Sequence, residues 1–323
     1  MHARPFEYLL TQLSFLTRRQ RERLLDLLLP AAKLDKAVDL IEQAAAHRLA
    51  CPGCHSRQLH RHGRAHGLQR YRCKQCGRTC NALSGTALAR LRHKGRWLDY
   101  LNAMLDSRSI RRSATELGVA GATSFRWRHR FLEVSKDDRP HCLAGIAEAD
   151  EMYVLESHKG SRNLDRPARQ RGGKATKRGI SHEQMCVLVA RDRTGQTLDW
   201  VPGKGALTRA QLHQHLLPRL ERDVLLVSDG HPAYRAFARQ AGITHEAVNL
   251  QAGIRVRGAI HVQNVNSYHS RLRGWLQPFR GVASRYLPNY LGWRWALDGG
   301  RIGSPEGLLR AALGAGRQAV FHS

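Results

Sequence analysis

Acidic residues are scarce in this sequence. Its 323 residues include 26 Asp+Glu against 53 Lys+Arg, a formal net charge of +27. The basic residues run through the whole chain, so the imbalance is not a basic tail on a neutral domain. Such a field attracts polyanions, of which duplex DNA is the densest in a cell. A ribosome-associated chain, or one that is merely arginine-heavy, has the same balance. Long apolar runs are missing too. Tyr8 to Leu16 is short and is followed by Arg18-Arg19; Leu24 to Leu29 is interrupted by Asp26, with Glu22 just upstream. These read as amphipathic helices, which excludes a signal peptide or membrane span and makes a cytoplasmic protein with no membrane partner the expectation. There is no internal repeat, and the tail, 299–323, has no legible chemistry. Apolar residues at 42% and charged residues at 24% are ordinary globular values, so a folded, multidomain chain is expected.

Five segments follow from composition. Residues 1–46 read as a helical segment in which Thr17 caps a helix carrying Leu24, Leu25, Leu27 and Leu28, closed by Pro30. Residues 47–95 are rich in Cys, His and Gly. Residues 96–140 return to helical periodicity. Residues 141–298 alternate strands, at Leu143–Asp150, Gln184–Arg191, Thr197–Pro202, Val224–Ser228 and Glu246–Leu250, with helices at Thr208–Leu220, Ala233–Ala241 and Asn264–Phe279. The order β-β-β-α-β-α-β-α fits an α/β core of the RNase H-like (retroviral integrase-like) kind.

Two CxxC pairs, Cys51/Cys54 and Cys73/Cys76, flank an 18-residue spacer. Four thiolates on two tight turns suit tetrahedral Zn2+, and a shell closed by four protein ligands makes the zinc structural. Cys80 reads as a small core residue. His55, His60, His62 and His66 read as surface groups, though histidines also compete as ligands.

The stretch Ser113–Arg130 has helix-turn-helix grammar. Ala114 stands where two helices approach closely, Gly118 makes the turn, and a second helix carries Phe125, Trp127 and Phe131 inward and Arg126, Arg128 and Arg130 outward, toward DNA. An ordinary basic helical hairpin has the same pattern.

Asp150 and Asp229 each follow an apolar run and read as strand-end carboxylates. Alone, either is commonly a strand-end cap. As a pair they suit hard divalent cations, Mg2+ or Mn2+, which activate one oxygen and stabilise another in phosphodiester chemistry. Between the first two strands, Lys159 to Arg178 holds eight Lys or Arg and one acidic residue, Asp165. Its glycines and Pro167 argue for a flexible loop. A solvated loop is the plain reading; its departure from the strand carrying Asp150 favours DNA backbone contacts by Lys159, Arg162, Arg171, Lys174, Lys177 and Arg178.

Several stretches together resemble the insertion-sequence transposases of the 1595 type (ISXO-like). They are Asp150-Glu-Met-Tyr153, Arg171-Gly-Gly-Lys174 with Lys177-Arg-Gly179, Val187–Arg193, Val227-Ser-Asp229-Gly230, His261–Arg273 and Leu287–Arg294, with Asn81-Ala-Leu-Ser-Gly-Thr86 closing the ribbon. The resemblance implies a zinc ribbon before a DDE-type catalytic domain, with Asp150 and Asp229 as the first two members of its triad. Many relatives have Glu as the third; here the matching residue is Asn266, as in a D-D-N subgroup. Asn offers an oxygen but no charge; compensation by Glu151 is one option. Where relatives often have Lys seven residues later, this chain has Arg273, two helical turns on and on the same face. Arg keeps a bidentate phosphate clamp but gives up a proton poorly.

The resemblance implies a transposase that binds the element's terminal inverted repeats, cleaves them and joins them to target DNA, as a homo-oligomer on paired ends. A catalytically inactive DNA-binding descendant and a structure-specific nuclease are the alternatives.

Overall fold

A computed structural model describes residues 3–134, 139–164, 166–170, 172–248 and 256–314. The chain forms two compact units. One holds 3–106, 111–131 and 304–314; the other holds 107–110 and, among the described residues, 132–303.

In the first unit, α1 (Ala3–Gln12) and α2 (Arg18–Ala45) precede a three-stranded antiparallel sheet of β1 (Leu59–Ala65), β2 (Leu68–Cys73) and β3 (Thr79–Asn81). Thr17 caps α2 as expected. Its hydroxyl accepts from the Gln20 N–H, and the Gln20 side chain accepts from the Thr17 N–H at 2.9 Å. Pro30 does not close the helix, which continues through it to Ala45. Beyond the proline, Ala37, Leu40, Ile41 and Ala45 are buried. That packing outweighs the ladder bond that proline removes. Gly95 lies so close that a Cβ there would meet the Pro30 carbonyl and Leu34 at 3.4 Å. The leucine run is not the core face: Leu25, Leu27, Leu28 and Leu29 are exposed.

Three helices follow: α3 (Trp97–Leu105), α4 (Ile110–Glu116) and α5 (Gly121–Leu132). Gly118 turns the chain between α4 and α5 at φ +60°. Arg96 donates to the Leu117 and Gly118 carbonyls, both at 2.9 Å, closing the end of α4. On α5 the inward stripe is Ser124, Trp127, Arg128 and Phe131. Those spacings of three and four residues define one helix face, and they correct two expectations. Arg128 is fully buried and reaches Ser113 Oγ at 3.4 Å; it does not point outward. Phe125 is 39% exposed and does not point inward. Arg126 and Arg130 are not in this stripe: both are exposed. Trp97 and Tyr100 complete this core, edge to face on Phe131 and Trp127. The final segment, silent in sequence, forms α10 (Pro305–Ala312), capped by Ser304 and packed on α2 and α3, with Glu306 paired to Lys36.

The second unit is a mixed α/β layer. Its five-stranded sheet has the order β6-β5-β4-β7-β8: β4 (Ile146–Leu155), β5 (Gln184–Asp192), β6 (Thr197–Lys204), β7 (Leu225–Ser228) and β8 (Thr244–Ala247). The first three are antiparallel; β7 and β8 run parallel to β4 and β7. The first strand starts at Ile146 rather than Leu143, because Gly145 turns at φ +60°. The expected last strand extends to Leu250, but 249–250 lie outside the described residues. The helices are α6 (Arg209–His215), α7 (Pro232–Ala241), α8 (Gln263–Leu276) and α9 (Leu287–Asp298). The expected helix Thr208–Leu220 is α6 followed by a 3-10 turn, Leu217–Arg219, in which Pro218 cannot continue the helical ladder.

Alternation along the strands produces two cores. Ala147, Ala149, Leu188 and Ala190 pack with Leu212, Tyr234 and Phe237. Met152, Val187, Val189 and Val227 pack with Val265, Tyr268, Leu272 and Leu291. Asp298 ties the second layer to the sheet. It accepts from Arg191 of β5 at 2.9 Å, from Arg271 of α8 at 2.8 Å and from Arg294 of α9 at 2.8 Å. Burial raises its pKa, but the three guanidinium bonds prevail and hold it to about 2.

A carboxylate depressed in the folded state stabilises fully above its unfolded value, about 4, and that contribution is lost as pH falls toward 2. Asp298→Asn should therefore lower the melting temperature at neutral pH and shrink the stability lost between about pH 4 and pH 2; an unchanged acid profile would contradict this. Arg128→Ala should destabilise the fold, whereas Arg126→Ala should leave the melting temperature unchanged; Arg126→Ala with Arg130→Ala should weaken DNA binding, with a salt slope shallower by about 1 for each phosphate no longer neutralised.

Candidate catalytic and metal-binding sites

In the first unit, the four cysteines of the CxxC pairs converge. All four Sγ atoms lie within 4.8 Å of one another, with Cys51–Cys76 at 3.3 Å and Cys54–Cys73 at 3.5 Å. A tetrahedral ion with bonds of about 2.3 Å places its sulfurs about 3.8 Å apart, so the cluster has the right size. Each knuckle supplies backbone amides to its first cysteine. Those of Gly53 and Cys54 bring Cys51 down to about 6, and those of Cys76 and Gln75 lower Cys73. Among the described residues this is the single such cluster of three or more His, Cys, Asp or Glu side chains. Cys80 is buried outside it, while His55, His60, His62 and His66 are exposed.

The second site is built on β4. Asp150 lies in the middle of this ten-residue strand, not at its end. Asp229 directly follows β7. The parallel register pairs Ile146 with Leu225, Ala147 with Leu226 and Glu148 with Val227. Continuing it by two residues sets Asp150 beside Asp229, one strand spacing of about 4.8 Å away. Alternation directs both toward the layer of α8, the face that carries Val227 and Met152.

Asp229 Oδ1 accepts from the His231 N–H at 3.0 Å, which leaves Oδ2 outside that turn. Asp150 Oδ2 lies 3.5 Å from His269 Nδ1. Neither carboxylate has a Lys or Arg partner among the described residues, although Glu148, Asp199 and Asp298 each have one. In a chain of net charge +27, two adjacent carboxylates without a cation fit a hard divalent ion.

Glu148, two residues before Asp150, carries no signal that singles it out in the sequence beyond its period-2 spacing from Asp150. It is fully buried. It accepts from the Arg193 guanidinium, from Asn264 Nδ2 at 2.9 Å and from the Val265 N–H at 3.0 Å, with His261 Nδ1 at 3.2 Å. Asn264 and Val265 belong to the first turn of α8, where Val262 offers no side-chain cap and His261 Nδ1 accepts from the Gln263 N–H at 3.3 Å. Glu148 thus caps α8 from the neighbouring strand, where a helix end favours negative charge. Val265 meets Glu148 and His269 meets Asp150. Four helical residues rise about 6 Å and two strand residues about 6.6 Å, so helix and strand advance in step. Asn266 is exposed and lies between these two contacts; Arg273 is exposed two turns beyond it. Asn264 is occupied by Glu148, so of the two motif asparagines only Asn266 is open.

Glu151 does not compensate for the missing third carboxylate. Alternation turns it to the opposite face, where it accepts from Tyr234 Oη at 3.0 Å. Burial, then repulsion from Asp150, pushes it up to about 7.

The basic loop is pinned rather than loose. Glu183 accepts from the Thr176 N–H and from Arg169, and the Glu156 carbonyl accepts from Arg169 at 2.8 Å. Lys159 is exposed, and its ammonium donates to the carbonyls of Phe279, Arg280 and Gly281. Arg162, Lys174, Lys177 and Arg178 are exposed, with no ion pair among the described residues. Arg171 lies outside the described residues.

Residues 142–295 match the family model described as an ISXO2-like transposase domain. An uncharacterised protein in transposable element ISH50 of Halobacterium salinarum is 34% identical over 245 residues, covering 75% of this chain and 82% of that protein. Two solved structures are among those to which the chain has a low similarity. A simian T-cell lymphotropic virus intasome bound to PP2A regulatory subunit B56 gamma is 12% identical, covering 62% of this chain and 73% of that one, at a TM-score of 0.28. A pre-cleavage Mos1 transpososome is 16% identical, covering 62% and 78%, at a TM-score of 0.20. No described helix is long and apolar enough to cross a membrane.

The cysteine cluster yields a direct expectation. Purified protein should contain about one tightly bound Zn2+ per chain, and Cys54→Ser or Cys73→Ser should lose it and unfold the ribbon. Metal analysis is the check; a zinc-free protein with an intact ribbon contradicts it.

Proposed function

Because the chain belongs to the ISXO2-like, IS1595-type transposases, we propose that it cuts and joins DNA at the ends of its own mobile element. The observation that supports this reading is the β4–β7 register, whose continuation by two residues would bring Asp150 beside Asp229, with no Lys or Arg paired to either among the described residues. The strand order, three antiparallel strands and then two parallel ones on the far edge of the first, supports an RNase H-like core.

In this reading Asp150, Asp229 and Asn266 hold Mg2+ or Mn2+. Bound there, the divalent ions supply the Lewis acidity that phosphodiester cleavage and strand transfer require. Asn266 contributes a neutral oxygen, so the site has two formal negative charges rather than three. His269 holds Asp150 at the level of Asn266. Arg273 clamps a phosphate of the scissile strand and is a poor proton donor. Arg162, Lys174, Lys177 and Arg178 meet the backbone of the bound duplex, and Arg126 and Arg130 on α5 meet it as part of end recognition. The cysteine cluster holds structural Zn2+. Two ends are processed together, which calls for a homo-oligomer on paired ends.

The test is Mg2+-dependent nicking and strand transfer on a duplex carrying the element end. Asp150→Ala and Asp229→Ala should each abolish nicking and leave end binding intact. Asn266→Ala should cripple it, and Asn266→Asp should retain more activity than Ala. Arg273→Lys should be milder than Arg273→Ala. Nicking by Asp229→Ala would remove the metal reading, and nicking without strand transfer in the wild type would make the protein a nuclease.

A further inference from the structure

The first unit contains a cleft of about 1040 Å3 that the catalytic reading does not use. Its lining includes His66, Arg90, Arg92, His93 and Lys94 and, among the described residues, no carboxylate. Leu68 forms part of its apolar floor.

Lys94 is the unusual member. It is 8% exposed, and its Nζ donates to the His66 carbonyl at 3.2 Å. An ammonium has three donors, so this single bond leaves two to satisfy. Burial lowers its pKa below the ordinary lysine value. A buried, under-bonded lysine beside two arginines is costly to the fold unless an anion completes it.

The backbone around the cleft is strained in the same place. His66, Arg90 and His93 have φ of +53°, +63° and +59°, three of the six left-handed non-glycine residues described. Such conformations persist where the surrounding structure enforces them, commonly at ligand sites. The basic surface also continues beyond the cleft. His60, Arg61, His62 and Arg64 of β1 are exposed, and His66 follows directly at the hairpin turn.

We propose that this cleft binds a backbone phosphate of duplex DNA, with Lys94 as the buried anchor, Arg90 and Arg92 as the rim, and β1 laid along the adjoining backbone. A phosphodiester carries its charge on exposed oxygens that a recessed ammonium can reach, and such contacts fix register without reading sequence. The inference rests only on the DNA-binding part of the proposed function. Its readout is binding, which Asp150 and Asp229 do not enter, so its failure leaves the catalytic reading standing.

The experiment uses the full-length zinc-loaded protein, an end-bearing duplex and an unrelated duplex of equal length. Lys94→Met keeps the aliphatic stem and removes the charge. With zinc content and melting temperature unchanged, affinity for both duplexes should fall about tenfold, and the salt slope should become shallower by about 1. Should Lys94→Met lose its zinc, Arg90→Gln with Arg92→Gln, on the rim, is read the same way. In the wild type, neutralising single backbone positions as methylphosphonates should reveal one position whose effect disappears in the variant. Unchanged affinity and slope in the folded variant overturn the proposal. So does stabilisation of the wild type by inorganic phosphate with duplex binding unchanged in Lys94→Met, which would assign the cleft to a free anion.

Discussion

The second unit depends on one buried carboxylate. Glu148 closes the N-terminus of α8 from the adjacent strand, and through it a helix whose N-cap residue Val262 offers no side-chain cap gains a fixed position on the sheet. Removing a single partner from a buried charge network of this kind typically costs about 3–5 kcal/mol, because the charge left behind is uncompensated. The same grip fixes which face of α8 meets Asp150. Sliding the helix by one residue would rotate its side chains by about 100° and turn both His269 and Asn266 away from the strand.

The distribution of charge follows a related logic. Acidic residues are few, and many of the buried ones are engaged: Glu148 by Arg193, Asp199 by Arg139, Asp298 by three arginines. Among the described residues, Asp150 and Asp229 have no Lys or Arg partner although the chain has basic residues in excess. Bringing two bare carboxylates together is unfavourable, and a bound divalent ion reverses the sign of that interaction. Glu151, turned to the opposite face by the strand's alternation, has its pKa raised by burial first and by repulsion from Asp150 second. Among the described residues, Arg162, Lys174, Lys177 and Arg178 of the loop have no ion pair, since there are too few acids to pair with them.

Much of this layout is legible in the sequence because its periodicities are strong. The strands of the core alternate or run fully apolar, the CxxC knuckles have ligand spacing, and Thr17-x-x-Gln20 is a capping box. Where sequence and structure part, the reasons are local. Pro30 reads as a stop, but packing of the far half of α2 outweighs one missing bond. Arg128 reads as outward by its charge, yet its spacing from Ser124 and Phe131 puts it in the buried stripe. Asp150 reads as a strand end because the apolar run stops there; the strand continues because Glu151 and Tyr153 find polar partners on the covered face. Lys159 groups with the basic loop, but three convergent carbonyls claim its ammonium. The roles of Glu148 and His269 are invisible in sequence because they depend on partners over a hundred residues away in the chain.

Crystals soaked in Mn2+ test the central claim most directly, because anomalous scattering locates the ion without reference to activity. The predicted result is an ion bound by Asp150 and Asp229, with the Asn266 side-chain oxygen in its shell and Glu148 still hydrogen-bonded to Val265. An ion held elsewhere, or a shell that includes Asp150 but excludes Asp229, would contradict it.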